Sequence, residues 1–526
     1  MVKNNIPRKS AMTENSCGVA ETFTQNSILS LLRLFVSTAI AIVLPSYLVY
    51  KLPATTYAAW VLIIQVSAYV AYFDFGIQTG ISKYVAEYKA KNDNAGLNMR
   101  ASAGLALMMI ASTCGLMFTL IIAWQVPKLF KEMPSSLYHE VQISIIFVGV
   151  SLSFGLLCSI FSSIFLGLQR YAIPVIISLI NRFIFTTVVV AAVFFHQSLA
   201  VMGALVAFTN IATGLLQIEA WRRWAKNVRL RLCGLDLNIA RNMLGYCSSL
   251  AIWTAGMLCV SGIDVIIVGR YDFAQTGYYS VATLPTTFII SIMSAALAPL
   301  MPAVSAFSVH HSPAQLGVIL SRSTRYALIL LLVSGLPLLV GGYWVLHIWV
   351  GPIYAFNAIA YMRILVIANI LRNICAPYSN MLVATESQNI AIAGVIAEAT
   401  VNVICSIYLA ERLGAIGVAY GTLLGSFVSV GTHFTINMHY TYRLFAISRA
   451  RLLIDSLIRP CAIIVPSIIY LPYWWSYSAP VFSVTSWIVW GISTILLAWY
   501  VGFNAMERCL LVRYANRHIS AFAFHQ

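Results

Sequence analysis

The chain alternates between long apolar runs and short polar breaks. Apolar runs recur from residue 28 to residue 503. Each is about 20 residues long, enough to cross a hydrocarbon core of roughly 30 Å as a helix. They predict spans at 28–50, 57–82, 99–125, 141–166, 172–195, 199–221, 245–270, 277–300, 324–349, 358–384, 389–411, 415–440, 453–473 and 485–503. Every backbone amide in such a run must be satisfied without water, so helices are the expected form. The alternating pattern of a membrane β-barrel is absent. The prediction is an all-α polytopic membrane protein of about fourteen transmembrane helices. Residues 1–27 are polar and lack an apolar core or a small-residue cleavage site, so they read as a tail and not a cleaved signal. Residues 504–526 read as a second tail.

Composition supports this. Apolar residues make up 60% of the 526, and Asp, Glu, Lys and Arg only 9%. A soluble protein carries roughly 25% charged residues to build its shell. The net charge of +16 does not point to nucleic acid, because the basic residues lie in short clusters between spans. Of the 32 Lys and Arg, 23 fall in one set of loops or in the span ends that flank them. The opposite loops hold only Lys51, Lys128, Lys131, Arg270 and Arg412. The positive-inside rule makes the first set cytoplasmic, and an even span count puts both termini there too. The ten cysteines include no CxxC pair and no metal-ligand spacing, which points to packing.

The longest loop, 222–244, begins WRRWAKNVRLRL. It could lie amphipathically on the inner leaflet, or be a connector whose charges only set topology. A faint internal repeat flanks it. YKLPATTYAAW at 50–60 resembles GRYDFAQTGYYS at 269–280, and LQRYAIPVIIS at 168–178 resembles SQNIAIAGVIA at 387–397. Both matches, Lys51 with Arg270 and Gln169 with Gln388, have an offset of 219. This suggests two six-helix halves, 28–221 and 245–440, in parallel orientation, a common transporter plan. Residues 441–503 then add two further spans.

A charge inside a span costs at least a few kcal/mol and is a functional candidate by default. Arg182 lies about ten residues into its span, so roughly 15 Å deep. Arg372 sits deep in the tenth span beside Asn369 and Asn373. Arg33 and Arg363 are nearer span ends, where a long side chain can snorkel to the interface. Guanidinium groups suit a diphosphate because they offer forked donors and hold their charge at any physiological pH. The deep acids are Asp74, Asp264 and Glu398, with Asn402 one turn beyond Glu398 on the same face. They could carry a coupling proton or sodium ion; alternatively, Glu398 neutralises a basic residue such as Arg182 or Arg372. Asn181, beside Arg182, is a supporting polar group. Gly417, Gly421 and Gly425 form a small-xxx-small stripe suited to close helix packing. Trp60, Tyr278, Tyr279, Trp474 and Trp475 near span ends read as interfacial belt residues.

Enzyme signatures are absent: there is no HExxH, GxSxG, P-loop or dinucleotide fingerprint. His310 and His311 sit in a short loop and read as a solvated turn. No cofactor or metal is expected.

Three stretches resemble the polysaccharide biosynthesis and O-antigen (Wzx-type) flippase family. TTYAAWVLIIQVSAYVAYFDFGIQTGISKYVAEY at 55–88 is similar to its opening signature, an aromatic–Asp–Phe–Gly run followed by a basic residue. Here that run is Phe73, Asp74, Phe75 and Gly76, with Lys83 after it. DVIIVGRYDFAQTGYYSVATLP at 264–285 resembles the start of the family's second half. LVATESQNIAIAGVIAEATVNVICSIYLAERLGAIGVAYGTLLG at 382–425 resembles its paired eleventh and twelfth spans. The resemblance covers roughly 25–445 and implies a superfamily that also holds multidrug exporters and the peptidoglycan-precursor flippase. It implies two six-helix bundles around a central cavity, working by alternating access in the bacterial inner membrane. The implied substrate is an undecaprenyl-diphosphate-linked oligosaccharide, moved to the periplasmic leaflet for O-antigen, capsule or exopolysaccharide synthesis. Polysaccharide polymerase and chain-length machinery are the implied partners besides the bilayer. Asp74, Asp264 and Arg270 carry over by position. A membrane-embedded glycan polymerase or ligase is the alternative, but it would need a sizeable catalytic loop. A cation-coupled small-molecule exporter would favour an acidic lumen, against two deep arginines.

Overall fold

A computed structural model describes residues 36–226, 228–231, 238–245, 262–301, 313–385, 389–469 and 484–503, with isolated positions at 33, 247, 256, 258, 304, 305, 387, 507–509 and 513. Most of the two tails, most of 246–261, His310, His311, Trp474 and Trp475 lie outside the described residues. Ten helices among the described residues are long and apolar enough to cross a membrane, and Val36–Lys51 and Val489–Gly502 are shorter apolar helices. The protein is an all-α, multi-pass membrane protein. It divides into two compact units, Met1–Thr254 and Ala255–Gln526.

In the first unit, α1 (Val36–Lys51) leads into α2 (Ala54–Ala68), a 3₁₀ turn (Tyr69–Asp74) and α3 (Ile77–Ala90). Then follow α4 (Asn94–Leu129), α5 (Ser135–Gly167), α6 (Ala172–Phe194) and α7 (Leu199–Trp224). Helix α5 is central and packs against α2, α3, α4 and α7. Small residues let it approach. A Cβ on Gly203 of α7 would meet the Ser144 backbone at 2.9 Å, and the Ser144 hydroxyl donates to the Leu199 carbonyl at 2.8 Å.

The predicted span 57–82 is not one continuous α-helix. Phe75 and Gly76 take left-handed φ of 47° and 76°, a conformation glycine adopts without steric cost. The Asp74 carboxylate then accepts from the Gln78 backbone N–H at 3.1 Å and caps α3. Asp74, expected to be an ion-coupling or lumen acid, has one carboxylate oxygen engaged at this helix start. The loop after α7 also differs from a surface helix. The backbone N–H groups of Arg229 and Arg231 donate to Asn98 Oδ1 at 2.8 Å and Ser102 Oγ at 2.9 Å on α4. Val228 is buried in the core of the unit.

In the second unit come α8 (Asp264–Tyr271), α9 (Thr276–Leu297), α10 (Pro313–Val350), α11 (Pro352–Asn373) and α12 (Ala376–Ala384). Next are α13 (Asn389–Leu413) and α14 (Ala415–Thr432), which passes through a π-turn (His433–Asn437) into α15 (Met438–Phe445). Helix α16 (Arg449–Leu453) opens the helical stretch 449–469, and α17 (Val484–Leu497) follows. Helix α10 begins eleven residues before the predicted span at 324, so Arg322 and Arg325 are helical. Arg325 is buried and ion-paired with Glu507, so it is not a solvated loop charge. Trp60 and Tyr279 are buried as well, so neither presents its ring as a belt residue would.

Helices α13 and α14 form the most closely packed pair of this unit. A Cβ on Gly417 would collide with the backbone at Leu409, and one on Gly421 with Ser406. One on Gly425 would meet Asn402 Cβ at 2.9 Å. Gly431, on the same helix, has open space around its Cβ position. Gly421→Leu is therefore expected to cost ~3 kcal/mol or more, because backbone has to move. Gly431→Leu should stay within about 0.5 kcal/mol of wild type. Thermal unfolding of the two purified variants checks this; equal midpoints would refute the packing account.

Candidate functional site

Two helix interruptions bring polar groups into the second unit. The predicted span 245–270 breaks at Gly262 and Ile263, and α8 restarts with Asp264 in its first turn. Helix α11 stops after Asn373, with Arg372 in its last turn, before α12 begins. An anion at a helix N-terminus and a cation at a C-terminus both match the helix dipole.

Arg372 Nε donates to Glu398 Oε1 on α13 at 2.5 Å, and both side chains are largely buried. Of the two partners the sequence left open for Glu398, the structure selects Arg372. One turn on, Asn402 Oδ1 accepts from the Ser406 hydroxyl at 3.0 Å. Ser406 and Thr422 both lie within hydrogen-bond reach of the Val418 carbonyl, at 3.4 and 3.2 Å. The Thr422 hydroxyl also donates to Asp264 Oδ2 at 2.8 Å, and Tyr279 reaches the same oxygen at 3.4 Å. Asp264, Tyr279, Thr422, Ser406 and Asn402 thus lie in one buried polar cluster across α8, α9, α13 and α14, and the Arg372–Glu398 pair sits one turn before Asn402 on α13. Three buried atoms in this region have no hydrogen-bond partner among the described residues: Asp264 Oδ1, Arg372 Nη2 and Asn369 Oδ1. Asn369 and Asn373 spend their amide N–H groups on the carbonyls of Leu365 and Asn369, each at 2.9 Å.

Thr422, Tyr279 and Ser406 escaped the sequence reading. Ser406 had a signal, since Glu398, Asn402 and Ser406 repeat every fourth residue on one helix face. Thr422 and Tyr279 had none, because their partner Asp264 lies on another helix.

Arg182 has a different setting. On α6, Val175, Ile177, Val189, Ala192 and Val193 are buried, while Ile176, Ile180, Phe183, Ile184 and Phe194 are exposed. The exposed apolar stripe suits lipid. At 3.6 residues per turn, Arg182 falls on the line of Val175 and Val189, two turns from each, and nearly opposite the stripe. Yet Arg182 is itself exposed. The packed side of α6 therefore opens at its middle, where Ser178, half-buried Asn181, Arg182 and Thr186 make a polar strip. The guanidinium of Arg182 has no partner among the described residues; only its carbonyl is engaged, by Thr186 Oγ1 at 2.8 Å.

The remaining candidates stand apart. Arg33 is exposed, and residues 34 and 35 beside it lie outside the described residues. Arg363 Nε donates to the Leu339 carbonyl at 3.2 Å. Arg270 is exposed, 5.6 Å from the Tyr271 ring centre. Among the described residues, no group of three His, Cys, Asp or Glu side chains is placed to hold a metal ion.

Arg372 and Glu398 are each the other's neutraliser. Arg372→Ala should leave Glu398 charged and alone, a loss of about 3–5 kcal/mol. Adding Glu398→Leu should recover part of it. Thermal unfolding of wild type, both single variants and the double variant measures the coupling; strictly additive losses would remove the pair from the account.

No protein-family model matches the sequence, and no curated protein matches it. Solved structures do match. "Lipid II flippase MurJ, inward closed conformation" aligns over 90% of this chain and 98% of that one, with a TM-score of 0.66 and 12% identity. An inward-facing multidrug resistance MATE family transporter of the MOP superfamily aligns over 78% and 96%, with a TM-score of 0.61 and 15% identity. A MOP superfamily transporter from Pyrococcus furiosus, described as having a binding pocket of reverse polarity, aligns over 82% and 96%, at 0.56 and 14% identity. At these identities the likeness is one of fold.

Proposed function

We propose that a chain with this fold acts as an ion-coupled flippase rather than an enzyme. Its substrate is an undecaprenyl-diphosphate-linked oligosaccharide, moved from the cytoplasmic to the periplasmic leaflet of a bacterial inner membrane. The product serves surface polysaccharide synthesis, O-antigen, capsule or exopolysaccharide, upstream of a polymerase and its chain-length machinery. Both termini are cytoplasmic, following the Lys and Arg distribution.

The observation that carries this reading is Arg182, a mid-helix guanidinium on the side of α6 away from its apolar stripe, open and with no side-chain partner among the described residues. A cation held at depth without a protein counter-charge fits an anionic ligand, and a forked donor fits a diphosphate. Fold likeness to a lipid II flippase supports a lipid-linked cargo. The resemblance of three stretches to the O-antigen flippase family supports the sugar-bearing class. An exporter of organic cations would be repelled by Arg182.

Coupling is assigned to the second unit. Asp264 Oδ1 is a buried carboxylate oxygen without a hydrogen-bond partner among the described residues. A buried acceptor of that kind calls for a proton or a cation. Asp264, with Thr422 and the Glu398–Asn402 face beside it, is the group to take and release H⁺ or Na⁺. Arg372, already neutralised by Glu398, organises this region and is a weaker candidate for the diphosphate than Arg182.

In proteoliposomes given a defined lipid-linked oligosaccharide, Arg182→Ala should slow translocation roughly tenfold or more, the worth of one charged hydrogen bond. Arg182→Lys should fall between, because it keeps the charge and loses the fork. Wild-type rates in both variants at normal protein level would overturn the clamp. Separately, Asp264→Asn and Glu398→Gln should flatten the response of transport to imposed proton and sodium gradients. An unchanged gradient response in both would remove the coupling assignment.

A further inference from the structure

A second concentration of positive charge lies in the first unit, away from Arg182. A cavity of about 350 Å³ opens where the ends of α3 and α7, the start of α4 and the turn between α5 and α6 meet. Its walls carry Lys89, Arg170, Arg223 and Lys226, and no carboxylate lines it among the described residues. Among the described residues, only Arg223 is ion-paired, to Glu219 at 2.5 Å. Lys89 Nζ donates to the Leu168 carbonyl at 2.9 Å, and Arg170 Nη1 donates to the Trp224 carbonyl. These contacts hold the cations in place without neutralising them. Lys226 has no partner among the described residues.

Four cations drawn from three segments repel one another, and they would be held together most easily by an anion. The rest of the lining says which kind. Buried Leu97 forms part of an apolar wall, and Trp224 stands at the cavity about half exposed. Trp is enriched at the headgroup level of a bilayer. A basic pocket between transmembrane helices on the cationic side of a membrane suits the phosphate of a lipid headgroup. We propose that this cavity is a standing binding site for the phosphate of an acidic phospholipid, pinning the α3, α5–α6 and α7 ends together. The site does not depend on the transport reading. A polyprenyl diphosphate shares the same phosphate chemistry, and the experiment separates the two.

The full chain is purified in neutral detergent and reconstituted in nanodiscs containing phosphatidylglycerol and phosphatidylcholine. Lipid retained after re-extraction is counted by mass spectrometry. Wild type should retain phosphatidylglycerol in excess over its share of the mixture. Lys89→Gln with Lys226→Gln should lower that excess, by about fivefold per lost cation. Lys128→Gln with Lys131→Gln removes the same charge from the charge-poor loops and should leave retention unchanged. Equal losses in the two double variants would reduce the effect to bulk charge and overturn the site. Displacement of the retained phosphatidylglycerol by equimolar undecaprenyl diphosphate would assign the cavity to the diphosphate lipid and overturn the phospholipid assignment.

Discussion

Two charges that are each costly in hydrocarbon, Arg372 and Glu398, sit within 2.5 Å of one another. Neither belongs in that position alone, because an unpaired ion buried there costs several kcal/mol. Their pairing ties the end of α11 to the middle of α13. Helix α13 is in turn locked to α14 by glycines whose Cβ positions are filled by Ser406 and Asn402. That close approach lets Thr422 of α14 reach Asp264 at the restart of α8. The ion pair, the glycine stripe and the Asp264 contacts are therefore neighbouring parts of one arrangement built along α13 and α14.

The two deepest arginines part company on this point. Arg182 and Arg372 look alike along the chain, each a guanidinium well inside an apolar run. In the folded protein one is spent and one is open. Arg372 has given its Nε to Glu398, whereas Arg182 meets no acid among the described residues. A neutralised cation organises protein, and an open one is available to a ligand. The acids divide in the same way. Asp74 is engaged at the start of α3, while Asp264 keeps one oxygen without a hydrogen-bond partner among the described residues.

Interrupted helices supply the polar atoms. The breaks at Phe75–Gly76, Gly262–Ile263 and Ile374–Cys375 each end the regular hydrogen-bond ladder inside a predicted span. Helix ends leave backbone groups and a partial charge at depth, where irregular backbone is tolerated only inside protein or beside a cavity. Asp264 and Arg372 exploit the last two breaks as charges of the matching sign. Asp74 at the first accepts from the Gln78 backbone N–H at the start of α3.

The architecture was legible in the sequence because it rests on a local rule. A run of apolar residues long enough to cross a bilayer has to become a helix wherever it sits. The predicted starts and ends agree with α6, α7, α9 and α13 to within about three residues. They fail at α10, which begins eleven residues before the predicted span and carries Arg325, expected in a loop, as a buried partner of Glu507, 182 residues away. The depth of Arg182, Arg372 and Glu398 could also be read from sequence, because depth is a count along one helix. Their occupation could not. Asp264 meets Thr422 across 158 residues, and whether a deep charge is paired or open depends on which helix face comes to lie against it. Apolar length is a property of each segment alone, while neutralisation is a property of two segments at once, and only the folded protein brings the two together.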